Sequence, residues 1–431
     1  MSWEFGAAVA VIVMTALVGL PIGHAMLGAS VVYLLMVGAD MSIAFEQMLN
    51  GLYGSYVLLA IPLFIFAADL MNVGSLSDRL LDFCRALVGR FRGGLGHVNV
   101  VSSLIFSGMS GSAIADAVGM GRIIINLMTK DGKYPGAYAG AITAASAIIG
   151  PIIPPSIPMV LFALVSDTSI GFLFLGGVVP GLIMGIGLMA SNAWQARVHN
   201  YPVEEAVPLR ELPRITLRAV PALLMPVILL VGIYGGVTTP TEAAALAALY
   251  AFLVSTFFYR SVSLRKAYDT VRQSAKSTAS VGFLIAGALA FNYVVTVEQV
   301  PNVIRDAMEG TEFSRIWFLL LVNVFLLALG CLLEANAILL VIVPIFLPTA
   351  VALGVDPVHF GVIVVVNTMI GLATPPYGLL LFVVTSITRA PIRQTIRHLL
   401  PFLAIMVVGL GIITFVPDLV LWLPRLYGYG G

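Results

Sequence analysis

Apolar segments long enough to cross a membrane alternate along this chain with short polar or basic segments. A helix of about 20 apolar residues spans the hydrocarbon core of a bilayer. Eight segments are predicted to be single membrane helices: 3–20, 22–38, 55–74, 170–193, 219–237, 241–259, 278–297 and 399–423. Four longer apolar segments are interrupted by glycine, proline or polar clusters: 97–128, 136–165, 314–350 and 359–388. The pattern predicts an all-α polytopic membrane protein.

The basic residues predict how these segments are oriented. Of the 22 lysines and arginines, 18 lie in five connecting segments: 79–92, 130–133, 197–218, 260–276 and 389–397. Because basic loops stay on the cytoplasmic side of a membrane, we expect all five there. Both chain termini then lie on the opposite, periplasmic side.

Two of the long segments cannot cross the membrane under this orientation. The segment 97–128 has a cytoplasmic loop at each end, so we expect a re-entrant hairpin with its tip at 107–112. The same argument makes 314–350 a second hairpin that enters from the opposite side, with its tip at 334–337. The alternative is two full spans in each segment, but the small polar tips favour hairpins.

The other two long segments share a motif, which predicts an inverted repeat. Residues 149–155 and 370–376 both read I-G-x-x-x-P-P, with the two glycines 221 residues apart. Two consecutive prolines end a helix locally, and the freed carbonyls must line a cavity or bind something. Matching broken helices in inverted halves indicate a transporter's binding site. Proline kinks without a ligand are the alternative.

Composition excludes several classes of protein. The chain is 60% hydrophobic and 10% charged, whereas soluble domains carry roughly 25% charged residues. A net charge of +1 gives no reason to expect a nucleic-acid partner. Cys84 and Cys331 are the only cysteines and lie far apart, without metal-ligand spacing. The N-terminal segment lacks the features of a signal peptide and is interpreted as the first membrane helix. No phosphate-binding loop motif is present, so we do not expect ATP to drive this chain directly.

Four motifs together resemble a known family, the large membrane subunit of tripartite ATP-independent periplasmic (TRAP) transporters. GGLGHVNVVSSLIFSGMSGSAIADAVGMGRIII (93–125) resembles the first-hairpin signature, and AITAASAIIGPIIPPSIPMVLFALV (141–165) the first broken helix. EANAILLVIVPIFLP (334–348) and NTMIGLATPPYGLLLFV (367–383) resemble the second set. The resemblance covers essentially the whole chain.

The resemblance implies a sodium-coupled secondary transporter in the bacterial or archaeal inner membrane, without a cofactor. It implies an elevator mechanism, in which a transport domain slides against a scaffold. Carboxylate-bearing organic acids would be delivered by a periplasmic substrate-binding protein. A small membrane subunit would be a separate chain.

The expected division of the chain follows these parts. Residues 1–74 are scaffold helices, 75–194 the first transport part, and 195–277 further scaffold with an amphipathic interfacial segment at 210–218. Residues 278–398 form the second transport part and 399–431 a C-terminal helix.

The resemblance also implies two sodium sites and a substrate site. The first sodium site would contain Ser107, Gly108, Ser110, Ser112, Ser146, Ile149, Gly150 and Pro151. The second would contain Glu334, Ala335, Asn336, Gly371, Thr374 and Pro375. Ser112, Pro155, Ser156, Glu334 and Pro376 would bind the substrate. The chain departs from the family at Ala147-Ile148, where a Ser-Thr pair is frequent, and at Glu334, where aspartate is frequent.

Several polar residues allow two interpretations. Glu334 is a functional candidate because acidic groups at membrane depth are costly, although a protonated spectator is the alternative. Asp116 either caps a helix or supports an ion site, and Ser156 either caps a half-helix or donates to a substrate carboxylate. Asp69 and Asn72 are interpreted as helix-packing polar residues.

Three other functions are alternatives to a carrier. An intramembrane enzyme is disfavoured because Gly108-Met109-Ser110 lacks the pattern of a nucleophile elbow and has no matching histidine. A channel is disfavoured because hairpins from both sides favour an occludable central site. A standalone sodium/dicarboxylate carrier remains open, and dependence on a binding protein distinguishes it.

Overall fold

The computed structural model describes residues 2–73, 76–208, 210–309 and 314–431. Within these ranges the protein is α-helical and forms no β-strand. The N-terminal helices are α1 (Trp3–Leu17), α2 (Ile22–Val37), α3 (Ser42–Gly54), α4 (Ala60–Val73) and α5 (Leu76–Val88). They are followed by α6 (Gly94–Ser110), α7 (Ala113–Val118), α8 (Met120–Thr129), α9 (Gly136–Ala147), α10 (Ile157–Ser166) and α11 (Ile170–Val198).

The remaining helices form the second half. They are α12 (Leu212–Tyr234), α13 (Pro240–Leu253), α14 (Leu264–Val297), α15 (Val300–Glu309), α16 (Arg315–Gly330), α17 (Ala335–Ala352), α18 (Pro357–Gly371), α19 (Leu379–Thr388), α20 (Ile392–Phe415) and α21 (Asp418–Leu426). Seven helical segments in the described ranges are long and apolar enough to cross a membrane: 56–73, 170–198, 212–234, 240–258, 265–297, 335–352 and 392–415. The prediction of an all-α polytopic membrane protein is confirmed.

The last predicted span is wrong in its extent. The segment 399–423 is not one helix, because α20 ends at Phe415 and α21 begins at Asp418. Val416 and Pro417 separate them, and a proline cannot donate the backbone hydrogen bond that would continue α20. The C-terminal part of the chain therefore consists of two helices.

Three shorter helices had no counterpart among the predicted spans. They are α3, α5 and α15, whose polar and apolar residues are mixed. A search for continuous apolar runs misses such helices, since their apolar residues occupy only one face.

The core is formed by helices that are apolar all round. Every residue of α9 from Ala137 to Ala147 and of α18 from Val358 to Gly371 is buried. A helix without a polar face is expected inside a bundle. Around this core, α9 packs against α19 and α20, and α18 packs against α16 and α17. On the other side, α14 packs against α2, α3 and α4 and also reaches α17.

Three of the expected boundaries fall inside helices. The boundaries after residues 194, 277 and 398 lie within α11, α14 and α20. The segment 210–218, expected to be amphipathic and interfacial, overlaps the start of α12, which is continuous from Leu212 to Tyr234. The division into scaffold and transport parts stays a prediction.

Candidate functional site

Both Pro-Pro motifs lie in helix breaks, as expected. Nine residues separate the end of α9 from the start of α10, and seven separate α18 from α19. The Pro154-Pro155 and Pro375-Pro376 peptide bonds are both cis. At the first break the Met159 N–H donates to Ser156 Oγ at 3.2 Å, so Ser156 caps α10. The Ser156 hydroxyl in turn donates to the carbonyl of Pro151.

The first hairpin turns at Gly111 and Ser112, inside the predicted tip. Gly111 has a φ of 58°, a left-handed conformation that glycine adopts at little cost. Ser112 caps α7 by accepting from the Ala115 N–H at 3.4 Å. The Ile157 N–H donates to the Gly111 carbonyl at 3.4 Å. A Cβ on Gly111 would lie 2.6 Å from the Pro155 carbonyl oxygen. The first tip is therefore attached directly to the first helix break.

The second hairpin turns between α16 and α17, and Glu334 occupies the N-cap position of α17. The Asn336 side-chain amide donates to Glu334 Oε1 at 3.1 Å. Near the tip, α16 and α18 touch through glycines, since a Cβ on Gly371 would lie 2.5 Å from the Cα of Gly330. The predicted tip at 334–337 therefore lies at the turn and the first turn of α17.

A central cavity of about 490 Å³ brings the two tips together. Six of the predicted site residues line it: Ser110, Ser112, Pro151, Glu334, Ala335 and Asn336. The Ser110 hydroxyl is buried and forms no hydrogen bond within the described residues. Residues 222 positions apart in the sequence thus share one cavity.

The other predicted site residues do not line this cavity: Ser107, Gly108, Ser146, Ile149, Gly150, Pro155, Ser156, Gly371, Thr374, Pro375 and Pro376. Several of their hydroxyls already have local partners. Ser107 donates to the Leu104 carbonyl at 2.6 Å, and Thr374 donates to the Ile370 carbonyl at 2.8 Å. The ligand sets themselves stay predictions.

Behind the first tip lies a buried polar network. Ser146 Oγ donates to Asn99 Oδ1 at 2.8 Å, Asn99 Nδ2 donates to Thr143 Oγ1 at 2.7 Å, and Ser103 Oγ donates to Ser146 Oγ at 3.2 Å. The Asp116 carboxylate is buried beside Ser103, and its oxygens form no hydrogen bond in the described part of the chain. Since Ser112 caps α7, the capping interpretation of Asp116 loses its support.

The cavity also has a wall that the sequence interpretation missed. On α14, Gln273, Ser277 and Ser280 face it at helical spacing, and on α4 it is lined by Asp69. Ser274 Oγ donates to Asp69 Oδ2 at 2.6 Å, which joins the two helices. The i, i+4, i+7 spacing of these polar residues could have predicted a polar face on α14. It was missed because the three residues straddle the junction between a basic and an apolar segment.

The electrostatic character of the cavity is unusual for an anion site. Asp69 and Glu334 contribute carboxylates, whereas no lysine, arginine or histidine lies among the described residues that line it. Positive potential comes from helix N-termini, because α10 and α17 both begin at the cavity with Ile157 and Ala335. The other polar groups that line the cavity are neutral hydroxyl, amide and carbonyl groups.

A second cavity, of about 830 Å³, lies on the other side of the second hairpin. It is mostly apolar and lies between α1 and α2 on one side and α16 and α17 on the other. Glu334 borders both cavities.

The arrangement of these helices matches that of a known membrane protein. The structure of the Alcanivorax borkumensis YdaH transporter superposes with a TM-score of 0.63, at 15% identity, and 88% of each chain is covered. At this identity the likeness establishes the class, a polytopic helical membrane fold.

The sequence comparison then identifies the family. The model described as "Tripartite ATP-independent periplasmic transporter, DctM component" matches residues 8–419. The sialic acid TRAP transporter large permease protein SiaM of Vibrio cholerae is 40% identical over 414 residues, 96% of each chain. The C4-dicarboxylate TRAP transporter large permease protein DctM of Pseudomonas aeruginosa is 42% identical over 373 residues, 86% of this chain and 87% of the other. This chain belongs to the DctM family of TRAP transporter large permease subunits.

Proposed function

We propose that this chain is the large membrane subunit of a sodium-coupled transporter that imports small organic acid anions. The observation that carries the proposal is the central cavity, where two hairpin tips and the N-terminus of α10 meet. A half-helix N-terminus suits an anionic substrate, and neutral oxygens beside broken helices suit a small cation. The relatives named for sialic acid and C4-dicarboxylates support organic acids as the substrate class.

Within this proposal, sodium ions bind at the two tips. Ser110, Ser112 and the Pro151 carbonyl provide oxygens for the first ion, while Glu334 and Asn336 provide them for the second. Hard oxygen ligands are what such cations prefer. Because the described residues that line the cavity include two carboxylates and no basic side chain, the bound ions also supply the positive charge that an anionic substrate needs.

The complete transporter is proposed to contain two more proteins. A periplasmic binding protein delivers the acid. A small membrane subunit accompanies this chain in the inner membrane. Both termini of this chain lie outside, on the periplasmic side. The hairpins and broken helices are proposed to move as one elevator-type body against the scaffold. The position of the cavity supports this division, because the hairpin tips line one side of it and α4 and α14 line the other.

Uptake by the reconstituted three-protein system tests the proposal. Accumulation of a labelled acid in proteoliposomes should require an inward sodium gradient and the binding protein, with a Hill coefficient for sodium above one. An equal proton gradient without sodium should give only background uptake. Uptake driven equally well by protons, or uptake that needs no binding protein, would contradict the sodium coupling or the tripartite assembly, respectively.

A further inference from the structure

The wall of the central cavity formed by α4 and α14 has no role in the function proposed so far. Asp69 lies on α4, and Gln273, Ser277 and Ser280 lie on one face of α14. These helices pack against each other, and none of the four side chains belongs to a hairpin or a helix break. Polar side chains inside a protein are costly unless they meet water, a ligand or another polar group.

Asp69 has hydrogen-bonding capacity left on the cavity side. Ser274, which is buried, donates to Oδ2 at 2.6 Å. Within the described ranges no other side chain or backbone group donates to this carboxylate, and no basic residue pairs with it. An ionised carboxylate only accepts hydrogen bonds, and its two oxygens offer about four positions. The unused positions face a space that a ligand can occupy.

Glu334 presents a second carboxylate from the second hairpin. The only hydrogen bond to it in the described part of the chain comes from Asn336, at 3.1 Å. Even with the proposed sodium ion at Glu334, an acid without hydroxyls would bring further negative charge towards Asp69, since no basic side chain lies among the described residues that line the cavity. Such an acid would also leave the acceptor positions of Asp69 unfilled. Like charges brought together at a binding site are costly, and so is a buried acceptor without a donor.

From this juxtaposition we propose that Asp69, with Gln273 and Ser277, forms a second face of the substrate site that binds hydroxyl groups of the transported acid. The inference rests on the proposed function and narrows its substrate class to acids that carry several hydroxyls. The carboxylate of such an acid lies towards the tips and α10, and its hydroxyls donate to Asp69 and Glu334. The serine and glutamine side chains on α14 pair with the same hydroxyls, because they both donate and accept.

Direct binding to the full chain in lipid nanodiscs, without any binding protein, tests this inference. The probes are gluconate, which carries five hydroxyls, succinate, which carries none, and glycine betaine, which carries a cation. In sodium buffer, gluconate should bind more tightly than succinate by about tenfold or more, the range for hydrogen bonds to charged acceptors. Asp69→Asn should remove about tenfold of the gluconate affinity and leave succinate affinity unchanged or slightly higher.

Two variants serve as controls, and a third tests the contribution of α14 to the proposed face. Asp78→Asn removes an exposed carboxylate on the neighbouring α5 and should change neither affinity. Ser274→Ala removes the partner of Asp69 but leaves the carboxylate, so the preference for gluconate should remain. Ser277→Ala should weaken gluconate binding by about threefold, since it removes one neutral hydrogen bond.

The outcomes separate this inference from the proposed function. Equal loss of gluconate and succinate affinity in Asp69→Asn, or tighter wild-type binding of succinate or betaine than of gluconate, overturns the hydroxyl-binding face. If sodium-driven uptake of an acid persists in the same preparation, the proposed function stands although the inference fails. If no acid is taken up with sodium in the reconstituted system, the proposed function fails as well.

Discussion

The two helix breaks share the motif I-G-x-x-x-P-P, yet the protein packs around them differently. At the first break, Pro154, Pro155 and Ser156 are buried. At the second, Pro376 is exposed and Tyr377 is 62% exposed. The same sequence pattern therefore produces one break whose paired prolines are both buried and one whose second proline reaches the surface.

The hairpin tips differ in a similar way, since the first is held more closely by its helix break than the second. The first tip is held by the hydrogen bond between Ile157 and Gly111 and by close contact with the Pro155 carbonyl. The second touches its break through the Gly330–Gly371 contact, and a cavity of about 830 Å³ lies beside it. Tightly packed groups cannot shift without loss of contacts, whereas a group beside a void can. We expect the second tip to be the less constrained of the two.

Behind the tips, in contrast, the halves agree. Ser146 lies four residues before Gly150 and donates to Asn99 on the first hairpin at 2.8 Å. Asn367 lies four residues before Gly371 and donates to Asn323 on the second hairpin at 2.6 Å. Each hairpin is thus fastened to its broken helix by a buried polar pair.

The largest expected effect concerns the sides from which the hairpins enter. In a chain whose Cys84 and Cys331 are replaced by serine, Arg90→Cys and Lys130→Cys should react with a membrane-impermeant maleimide only from the cytoplasm. Ser314→Cys and Val351→Cys should react only from outside, because the charge distribution predicts that the second hairpin enters from there. Mass tagging of right-side-out and inverted vesicles measures this all-or-none difference.

Labelling of Lys130→Cys from outside would contradict the first re-entrant hairpin, since 97–128 would then cross the membrane. Reaction of Val351→Cys with the maleimide from the cytoplasm would contradict the second re-entrant hairpin. The 18-residue length of α17, enough to cross a membrane, makes the second test the more demanding one.

The next effect concerns the two motif glycines. A Cβ on Gly371 would lie 2.5 Å from the backbone Cα of Gly330, whereas a Cβ on Gly150 would be no closer than 3.1 Å to its nearest neighbour. Gly371→Ala should therefore lower the free energy of unfolding by about 2–3 kcal/mol, the range for overpacking, and Gly150→Ala by about 1 kcal/mol or less. Denaturant unfolding in detergent measures both.

Gly282→Ala is the matched control, because no atom lies within 4 Å of its added Cβ and the residue lies within α14. It should be neutral or slightly stabilising, as alanine favours helices over glycine. Equal destabilisation by Gly150→Ala and Gly371→Ala would mean that the two breaks are packed alike.

A smaller effect is expected from the charge that distinguishes the tips. Glu334→Gln keeps the size of the side chain but removes the carboxylate beside the proposed second sodium ion. A neighbouring charge contributes substantially even at an effective dielectric constant near 20. The sodium concentration for half-maximal uptake should rise about tenfold, equivalent to roughly 1.4 kcal/mol. Ser112→Ala, at the first tip, should have a milder effect because backbone carbonyls remain.

Sodium titrations of uptake at a fixed acid concentration measure both variants. Their amount in the membrane should stay near that of the wild type, since a neutral residue at this depth costs less than a charged one. Unchanged sodium dependence and unchanged acid affinity in Glu334→Gln would make this carboxylate a spectator.

Sequence patterns predicted the parts of the fold that physical chemistry restricts most. Long apolar runs can only be helices in a bilayer. Paired prolines can only end them, and small polar residues between apolar segments indicated turns. This is why the breaks near Pro154 and Pro375 and the turn at Gly111 lie where expected. The helices α3, α5 and α15 were missed because their apolar residues occupy only one face.

The candidate site was predicted in part for a related reason. Ser110 and Glu334 were found because they stand inside apolar segments, where polar groups are conspicuous. Sequence alone favours helix packing for Asp69, and Gln273 lies within the basic segment 260–276, which is predicted to be cytoplasmic. Which polar groups share a cavity depends on how α4 and α14 pack, and sequence spacing does not contain that information.

The smallest expected effect concerns Ser156, for which capping and substrate binding were both plausible from sequence. Ser156 is buried, accepts from the Met159 N–H at 3.2 Å and donates to the Pro151 carbonyl. The Ser156 hydroxyl thus donates and accepts hydrogen bonds within the first break itself. At the same position of the second break, Gly378 provides no side-chain cap.

Ser156→Ala should lower the free energy of unfolding by about 1 kcal/mol, as for other lost N-caps. Acid affinity should change by no more than about twofold, since no hydrogen bond to the ligand is lost. Ser156→Thr, which keeps the hydroxyl, should restore most of the stability. A tenfold loss of acid affinity in Ser156→Ala, with unchanged unfolding, would instead assign the hydroxyl to the substrate.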